Sequence, residues 1–497
     1  MDLTSCLFSL ILFSFTILTL HKLLSKPTQK LPPGPPKLPL VGNLQQLAAK
    51  NVLPHHRLAQ LAKSYGPIMM LQLGQVPTLI ISSAHLAKEV LKTHDAVLCS
   101  KPILMVPKVL YYDSSDIALA PYGEYWRQVR KIATLELFTT KRVSSFRSIR
   151  DEEVADFVND IATQAGSVVN LSEKIFALMF DITSRITMNR KGKEQEEFRK
   201  LAKDITALCS GFSIGDLYPS VQFIYSLTGM KRRLLEIVKR SDQIMDPIIK
   251  DHMSIQRQDQ NADYDMVDVL LRFHKDNPRR TTDFALSTDN IKAIILELFA
   301  AGSETGSTII EWTISELLKN PRTMKKAQDE VRQIYKGNEL IDETTMEELK
   351  YIKLVLKETL RLHPPSPLLL RESMENCQIH GYDIPRNTRM FINVWGIGRD
   401  TECWEDAEQF IPERFENSSV DFKGNDFELI PFGAGRRICP GMALGLANVE
   451  LALAKLIYHF DWKLPNEMKP EELNMEETFG IVASRKNELL VIPIPFK

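Results

Sequence analysis

The sequence is short of cysteine, of net charge and of internal boundaries. Six cysteines in 497 residues, at positions 6, 99, 209, 377, 403 and 439, include no C-x-x-C pair. That excludes a disulfide-stapled secreted domain and places the body of the chain in a reducing compartment. With 62 basic against 63 acidic residues the formal net charge is -1, so no global positive field exists to attract nucleic acid. Beyond residue 40 there is no repeat, low-complexity block or second Pro/Gly-rich boundary. Length alone suggests about three domains, but without a boundary residues 41–497 read as one. At 44% hydrophobic and 25% charged residues, a wholly disordered, collagen-like or multi-span membrane chain is also excluded.

Charge is absent again from Leu3 to Leu20, an apolar run just long enough to span a bilayer as a helix. His21, Lys22, Lys26 and Lys30 follow it and only Asp2 precedes it, which places the bulk of the chain on the cytosolic side. A cleaved signal peptide would need a basic region before the run and a small-x-small site after it; neither is present. Residues 1–24 therefore read as a transmembrane anchor. Residues 25–40, containing Leu31-Pro32-Pro33-Gly34-Pro35-Pro36, read as a stiff extended linker whose prolines forbid helix.

β-Rich stretches at Ile68 to Ser82 and Ile379 to Val394 are broken by Gly or Pro like hairpins, while most other segments carry helical spacing. The class is mainly α with small sheets. One long helix is expected from Thr288-Asp289 to Asn320-Pro321. Its apolar stripe is interrupted by Gly302, Thr305 and Gly306. Interior glycines cost about 1 kcal/mol each relative to alanine, so something approaches that backbone closely, either a crossing helix or a ligand. A membrane dimer motif is disfavoured by Glu297, Glu304 and Glu311.

Near the C-terminus, Pro431-Phe432-Gly433-Ala434-Gly435-Arg436-Arg437-Ile438-Cys439-Pro440-Gly441 precedes a helix-like run from Met442. A sulfur at or just before a helix N-terminus is biased toward thiolate, and the glycines let backbone come near a bulky group. A dinucleotide fingerprint fails because Ile438 stands where its third glycine would be, and a phosphate loop fails for want of Lys-Ser or Lys-Thr. A cysteine protease would need a partner histidine that spacing cannot locate, and zinc or covalent haem attachment would need further ligands or C-x-x-C-H. A single thiolate ligand to haem iron uses every feature of the loop.

Phe432-x-x-Gly435-x-Arg437-x-Cys439-x-Gly441 resembles the haem-binding signature of the cytochrome P450 family. Ala301-Gly302-x-Glu304-Thr305 is similar to its oxygen-activation motif, Glu358-x-x-Arg361 to its buried ion pair, Pro412-Glu413-Arg414-Phe415 to the segment whose arginine joins that pair, and Trp126-x-x-x-Arg130 to its propionate-contacting helix. The anchor and proline-rich linker resemble those of plant microsomal oxidases of terpenoids and alkaloids. The resemblance implies a single large P450-like domain behind an N-terminal transmembrane helix, with Cys439 ligating the iron of haem b, iron protoporphyrin IX. It also implies Trp126, Arg130, Arg371 and Arg437 at the haem propionates, Phe432, Gly435 and Gly441 around the proximal pocket, and Glu358, Arg361 and Arg414 as a structural cluster. Glu304 and Thr305 are the expected proton-delivery pair; Ala301, Gly302, Ser366, Leu369 and Ile481 are expected in the substrate pocket.

Two positions depart from the family pattern. Gly306 stands where a second Ser or Thr is common, and His363-Pro364-Pro365-Ser366-Pro367-Leu368-Leu369-Leu370-Arg371 lacks a proline before the arginine. The implied activity is NADPH- and O₂-dependent monooxygenation of a hydrophobic small molecule. Electrons would come from NADPH-cytochrome P450 reductase, with cytochrome b5 as a second candidate donor, on the cytosolic face of the endoplasmic reticulum membrane. The alternatives are a reductase-independent haem-thiolate isomerase or dehydratase, and a non-enzymatic haem-binding membrane protein.

Overall fold

Ser287 starts the longest helix. Its hydroxyl accepts the Asn290 N–H at 3.1 Å while the Asn290 side chain accepts the Ser287 N–H at 3.0 Å, a reciprocal cap that satisfies two otherwise orphaned donors. From there the helix runs unbroken over Thr288–Lys319, roughly 48 Å at 1.5 Å per residue, and stops before Pro321. It is apolar enough to cross a membrane, but 67% of its most apolar stretch is buried inside the protein, so it serves as the core strut. The computed structural model describes residues 29–48, 52–190, 195–209, 213–221, 228–255, 265–278, 282–335 and 343–496. The anchor expected over 1–24 lies outside them.

The helix Leu171–Met188 crosses the central helix at the two glycines. A Cβ on Gly302 would lie 3.0 Å from Thr183 Oγ1, and one on Gly306 would lie 2.3 Å from Met179 Cε. The crossing helix is thus one cause of both glycines, and the helix runs unbroken through Gly306. Gly306→Leu should cost about 1–3 kcal/mol by overpacking against the fully buried Met179. Thermal unfolding checks this, and adding Met179→Ala should restore part of the loss, since contacting sites couple.

The expected hairpin is Ile68–Leu73 paired antiparallel with Val76–Ile81. The second strand pairs in parallel with Arg389–Asn393, which pairs antiparallel with Leu368–Glu372. This four-stranded sheet buries Leu79, Ile81, Met390 and Ile392 and sets Leu369 and Arg371 beside the central helix's pocket. A separate hairpin joins Cys377–Ile379 to Tyr382–Ile384, and a three-stranded sheet contains Val169–Asn170, Phe460–Lys463 and Leu490–Pro495.

The linker is extended, as its prolines require, but it is not a free spacer. The Pro33 carbonyl accepts the Met70 N–H at 2.8 Å, and the Asn43 amide donates to the carbonyls of Pro35 and Pro36 at 3.1 Å each. Further upstream, Lys30 exchanges backbone bonds with Asp383, its N–H donating to Asp383 Oδ2 and its carbonyl accepting the Asp383 N–H, each at 2.8 Å.

Candidate active site

A cavity of about 350 Å³ lies between the central helix, the strand end at Leu369 and the cysteine loop. Of the residues singled out from sequence, Ala301, Gly302, Thr305, Ser366, Leu369, Arg130, Arg437, Phe432, Cys439 and Gly441 line it. Trp126, Arg371, Glu304, Gly435 and Ile481 do not, and neither does the cluster of Glu358, Arg361 and Arg414.

The cysteine loop is folded back on itself. The Cys439 N–H donates to the Phe432 carbonyl at 2.9 Å, with Gly433 and Gly435 turning the chain at φ 71° and 68°. A Cβ on Gly435 would sit 2.2 Å from the Leu91 carbonyl oxygen, so no side chain fits there. Gly441 then caps the helix Met442–His459. The Gly441 N–H and Arg130 both favour a sulfur anion, but burial outweighs them and pushes the Cys439 thiol above its ordinary value. The helix terminus alone does not generate the thiolate expected from sequence. A metal cation in the cavity would, since a coordinating thiol is deprotonated outright.

Cations gather on one side of the cavity. Arg130 donates to the Ile438 carbonyl at 2.5 Å, and Arg437 to those of Cys99 and Ala120 at 2.9 and 2.7 Å. Arg371 is buried in its strand, bonded through Nη1 to Leu370, and its Nε has no partner. Lys101, which sequence reasoning missed, lines the same wall and donates to the Leu370 carbonyl at 2.8 Å. Burial and then mutual repulsion push Arg437 down to about 9 and Lys101 well below its usual range; burial, with a smaller push from Arg130, takes Arg371 to about 10. Such a group of desolvated cations is a donor set for a guest carrying more than one carboxylate. With the Cys439 sulfur two residues from Arg437 on the same loop, the donor set fits haem. Trp126 stands next to these cations: its Nε1–H donates to the Ile117 carbonyl at 2.9 Å and its ring lies 3.8 Å from the Arg437 guanidinium. It braces Arg437 from behind the wall.

Across the cavity the Thr305 hydroxyl donates to the Ala301 carbonyl at 2.6 Å, the back-bond common for helical threonine, while its oxygen stays at the cavity wall. Glu304 faces away from the cavity, where burial raises its carboxyl above the usual range against the pull of Lys203. The adjacent pair is therefore split between two faces of the helix. Glu297 takes a place at the wall that was not assigned to it. It lies four residues before Ala301 and eight before Thr305, on the same helix face, and accepts the Ile117 N–H at 2.5 Å. Burial and then Asp116 hold its carboxyl well above the ordinary value. That i, i+4, i+8 spacing was a usable signal; the Lys101-Pro102 dipeptide offered none. Ile481 sits on the Thr478–Ser484 turn at 36% exposure, off the wall where it was expected, because the turn points its buried neighbours Val482 and Ala483 inward.

The pattern described as Cytochrome P450 matches residues 32–491. The chain belongs to the cytochrome P450 family. It is 46% identical to a premnaspirodiene oxygenase of Hyoscyamus muticus, covering 99% of this chain and 98% of that one. It is 48% identical to a melianol synthase of Melia azedarach with the same coverage. A zebrafish cytochrome P450 solved with abiraterone superposes with a TM-score of 0.76 at 25% identity, over 90% of this chain and all of that one. This P450 is accordingly a haem-dependent monooxygenase that takes electrons through a redox partner and acts on a hydrophobic substrate.

Behind the cysteine loop the P450 carries a buried charge cluster. Arg361 grips Glu358 through two bonds of 2.8 Å, and Arg414 reaches the same carboxylate at 3.0 Å. The Ile411 N–H adds a fourth donor at 2.8 Å. Arg361 also donates to the carbonyls of Gly398, Ala407 and Gln409 at 2.5, 2.7 and 3.0 Å, which fastens the helix Lys350–Leu362 to the loop leading toward Cys439.

Proposed function

We propose that this P450 oxidises an apolar plant specialised metabolite, with a terpenoid as the best-supported class. The observation that carries the reading is the cavity itself: Cys439 on its wall, apolar lining from Leu298, Ala301, Ile309, Pro365 and Leu369, and charged lining confined to Lys101, Arg130, Arg437 and Glu297. Such a wall binds by area and orients through a handful of polar contacts. The names of two relatives, a premnaspirodiene oxygenase and a melianol synthase, support the class.

Within this reading Cys439 holds the haem iron, and Arg130, Arg371, Arg437 and Lys101 hold the propionates. Bound haem supplies the centre at which O₂ is activated with two electrons. Thr305 keeps a hydroxyl at the cavity wall for proton transfer, and Glu304 acts from the far side of the helix. Thr305→Ala should leave haem content unchanged and divert most NADPH consumption to peroxide. Unchanged product per NADPH oxidised would remove Thr305 from proton delivery.

The catalytic domain is assigned to the cytosolic face of the endoplasmic reticulum membrane, behind a single anchor over residues 1–24. Support comes from exposed apolar side chains on the described part: Leu40 at 87%, Ile103 at 62% and Ile214 at 59%. Ile103 also rims a second cavity of about 310 Å³ that touches Gly215, next to Ile214, which puts two of these exposed apolar side chains on one face. The reductase, and cytochrome b5 as a second donor, are assigned to the side of Cys439, where Arg127, Lys131 and Arg436 are exposed. Microsomal expression with a reductase, followed by a terpenoid and alkaloid screen for spectral binding and product, tests the reading. Turnover without NADPH would favour an isomerase or dehydratase instead.

A further inference from the structure

Away from the haem cavity, two consecutive histidines and one glutamate converge. Helix Pro54–Tyr65 begins next to an extended residue, Leu53, so His55 and His56 both fall in its first turn. His55 Nε2 lies 2.8 Å and His56 Nε2 3.1 Å from the same oxygen, Glu477 Oε2. All three atoms are within 4.8 Å of one another. We propose that His55, His56 and Glu477 form a binding site for a divalent cation of the zinc type.

Two imidazoles, one carboxylate and an open fourth position are an established zinc donor set, and bonds near 2.05 Å imply ligand-to-ligand edges of roughly 3.3 Å in a tetrahedron. The two measured edges are within about half an ångström of that value, so entry of the ion replaces two N–H protons with small side-chain movements. The surroundings hold the ligands in place. Glu477 Oε1 is occupied by the Trp395 Nε1–H at 3.4 Å, with His363 Nδ1 at 3.6 Å, which leaves Oε2 to face the histidines. The Asn393 amide donates to the His55 carbonyl at 2.9 Å, and Phe479 stacks on the His55 ring. His55 is fully buried and its Nδ1 has no partner. The opposing cation, Arg399, lies over the Trp395 ring and is paired with Glu408 at 3.1 Å. Only His56, with 30% of its side chain exposed, opens the site to solvent and gives the ion its path in.

Glu477 directly precedes the Thr478–Ser484 turn, and the Ala483 N–H of that turn donates to the carbonyl of Pro365, a residue of the haem cavity wall. An ion here would tie the first long helix to the outer wall of the cavity. The inference does not depend on the substrate proposed above.

The test is zinc titration of the EDTA-treated, haem-loaded full chain by calorimetry. One equivalent is expected, with affinity falling by at least about tenfold in His56→Ala and Glu477→Gln, a loss no smaller than removal of a supporting partner causes. His85→Ala, at the exposed cluster of His85, Glu89 and His380, should leave the affinity unchanged. Because His56 is partly exposed, His56→Ala keeps the test alive if Glu477→Gln does not fold; the carbon monoxide spectrum reports folding in both. No uptake by the native chain, uptake equal in His56→Ala, or uptake lost only in His85→Ala would each overturn the site.

Discussion

Replacing Cys439 by serine should erase the strongly red-shifted Soret band of the reduced, carbon monoxide-treated protein and with it all monooxygenase turnover. Among the described residues no other cysteine lines the haem cavity. Cys99 and Cys209 are buried elsewhere, and burial raises their thiols as well. A serine hydroxyl in the same place cannot be deprotonated as a thiol is, so the electron donation that favours O–O cleavage disappears. Iron retention should fall by more than about 100-fold, beyond the usual loss for a supporting partner. The loop itself should survive, because the Phe432 carbonyl is bonded by the backbone N–H of residue 439 and not by its side chain. Persistence of the shifted band in the serine variant would contradict the assignment of the ligand.

The second large effect is expected at Arg361, whose replacement by methionine should leave little folded, haem-loaded protein. Removing one partner of a buried ion pair costs about 3–5 kcal/mol because the other charge stays buried, and here Glu358 and Arg361 are both fully enclosed. Arg414 partly compensates the stranded carboxylate at 3.0 Å, but the carbonyls of Gly398, Ala407 and Gln409 lose the guanidinium that ties them to the helix. Against a total stability of about 5–15 kcal/mol, that is a large share. Arg361→Lys should not rescue it, since lysine cannot make the two-pronged contact. Haem-to-protein ratio and thermal midpoint measure the effect; full haem occupancy in Arg361→Met would show the cluster to be dispensable.

Local chemistry was the most legible part. The central helix starts at Thr288 and ends where Pro321 requires, as the spacing indicates, although Ser287 rather than Thr288 or Asp289 provides the cap. The hairpin at Ile68 to Ile81 follows from alternation around Gly74. Cys439, Arg437, Arg130 and Thr305 came from motif spacing, and the fold brings all four to one cavity. What spacing could not show was direction. Glu304 and Thr305 are neighbours in sequence and diverge by about 100° around the helix. Trp126 turns its donor to a backbone carbonyl, and Lys101 joins the cationic wall only because the chain folds it against Leu370. The helix terminus beside the sulfur is visible in sequence, whereas the burial that opposes it, and that a bound metal cation overrides, is a property of the assembled fold.

The proline segment illustrates what such assembly adds. Hydrogen-bonded through Pro33 to the edge strand at Met70, and through Pro35 and Pro36 to Asn43, which is itself bonded to Gln72 of that strand, it is a bracket rather than a tether. A bilayer attachment upstream of it would fix the tilt of the whole enzyme, and with it the angle at which the exposed side chains of Ile103 and Ile214 meet the lipid surface.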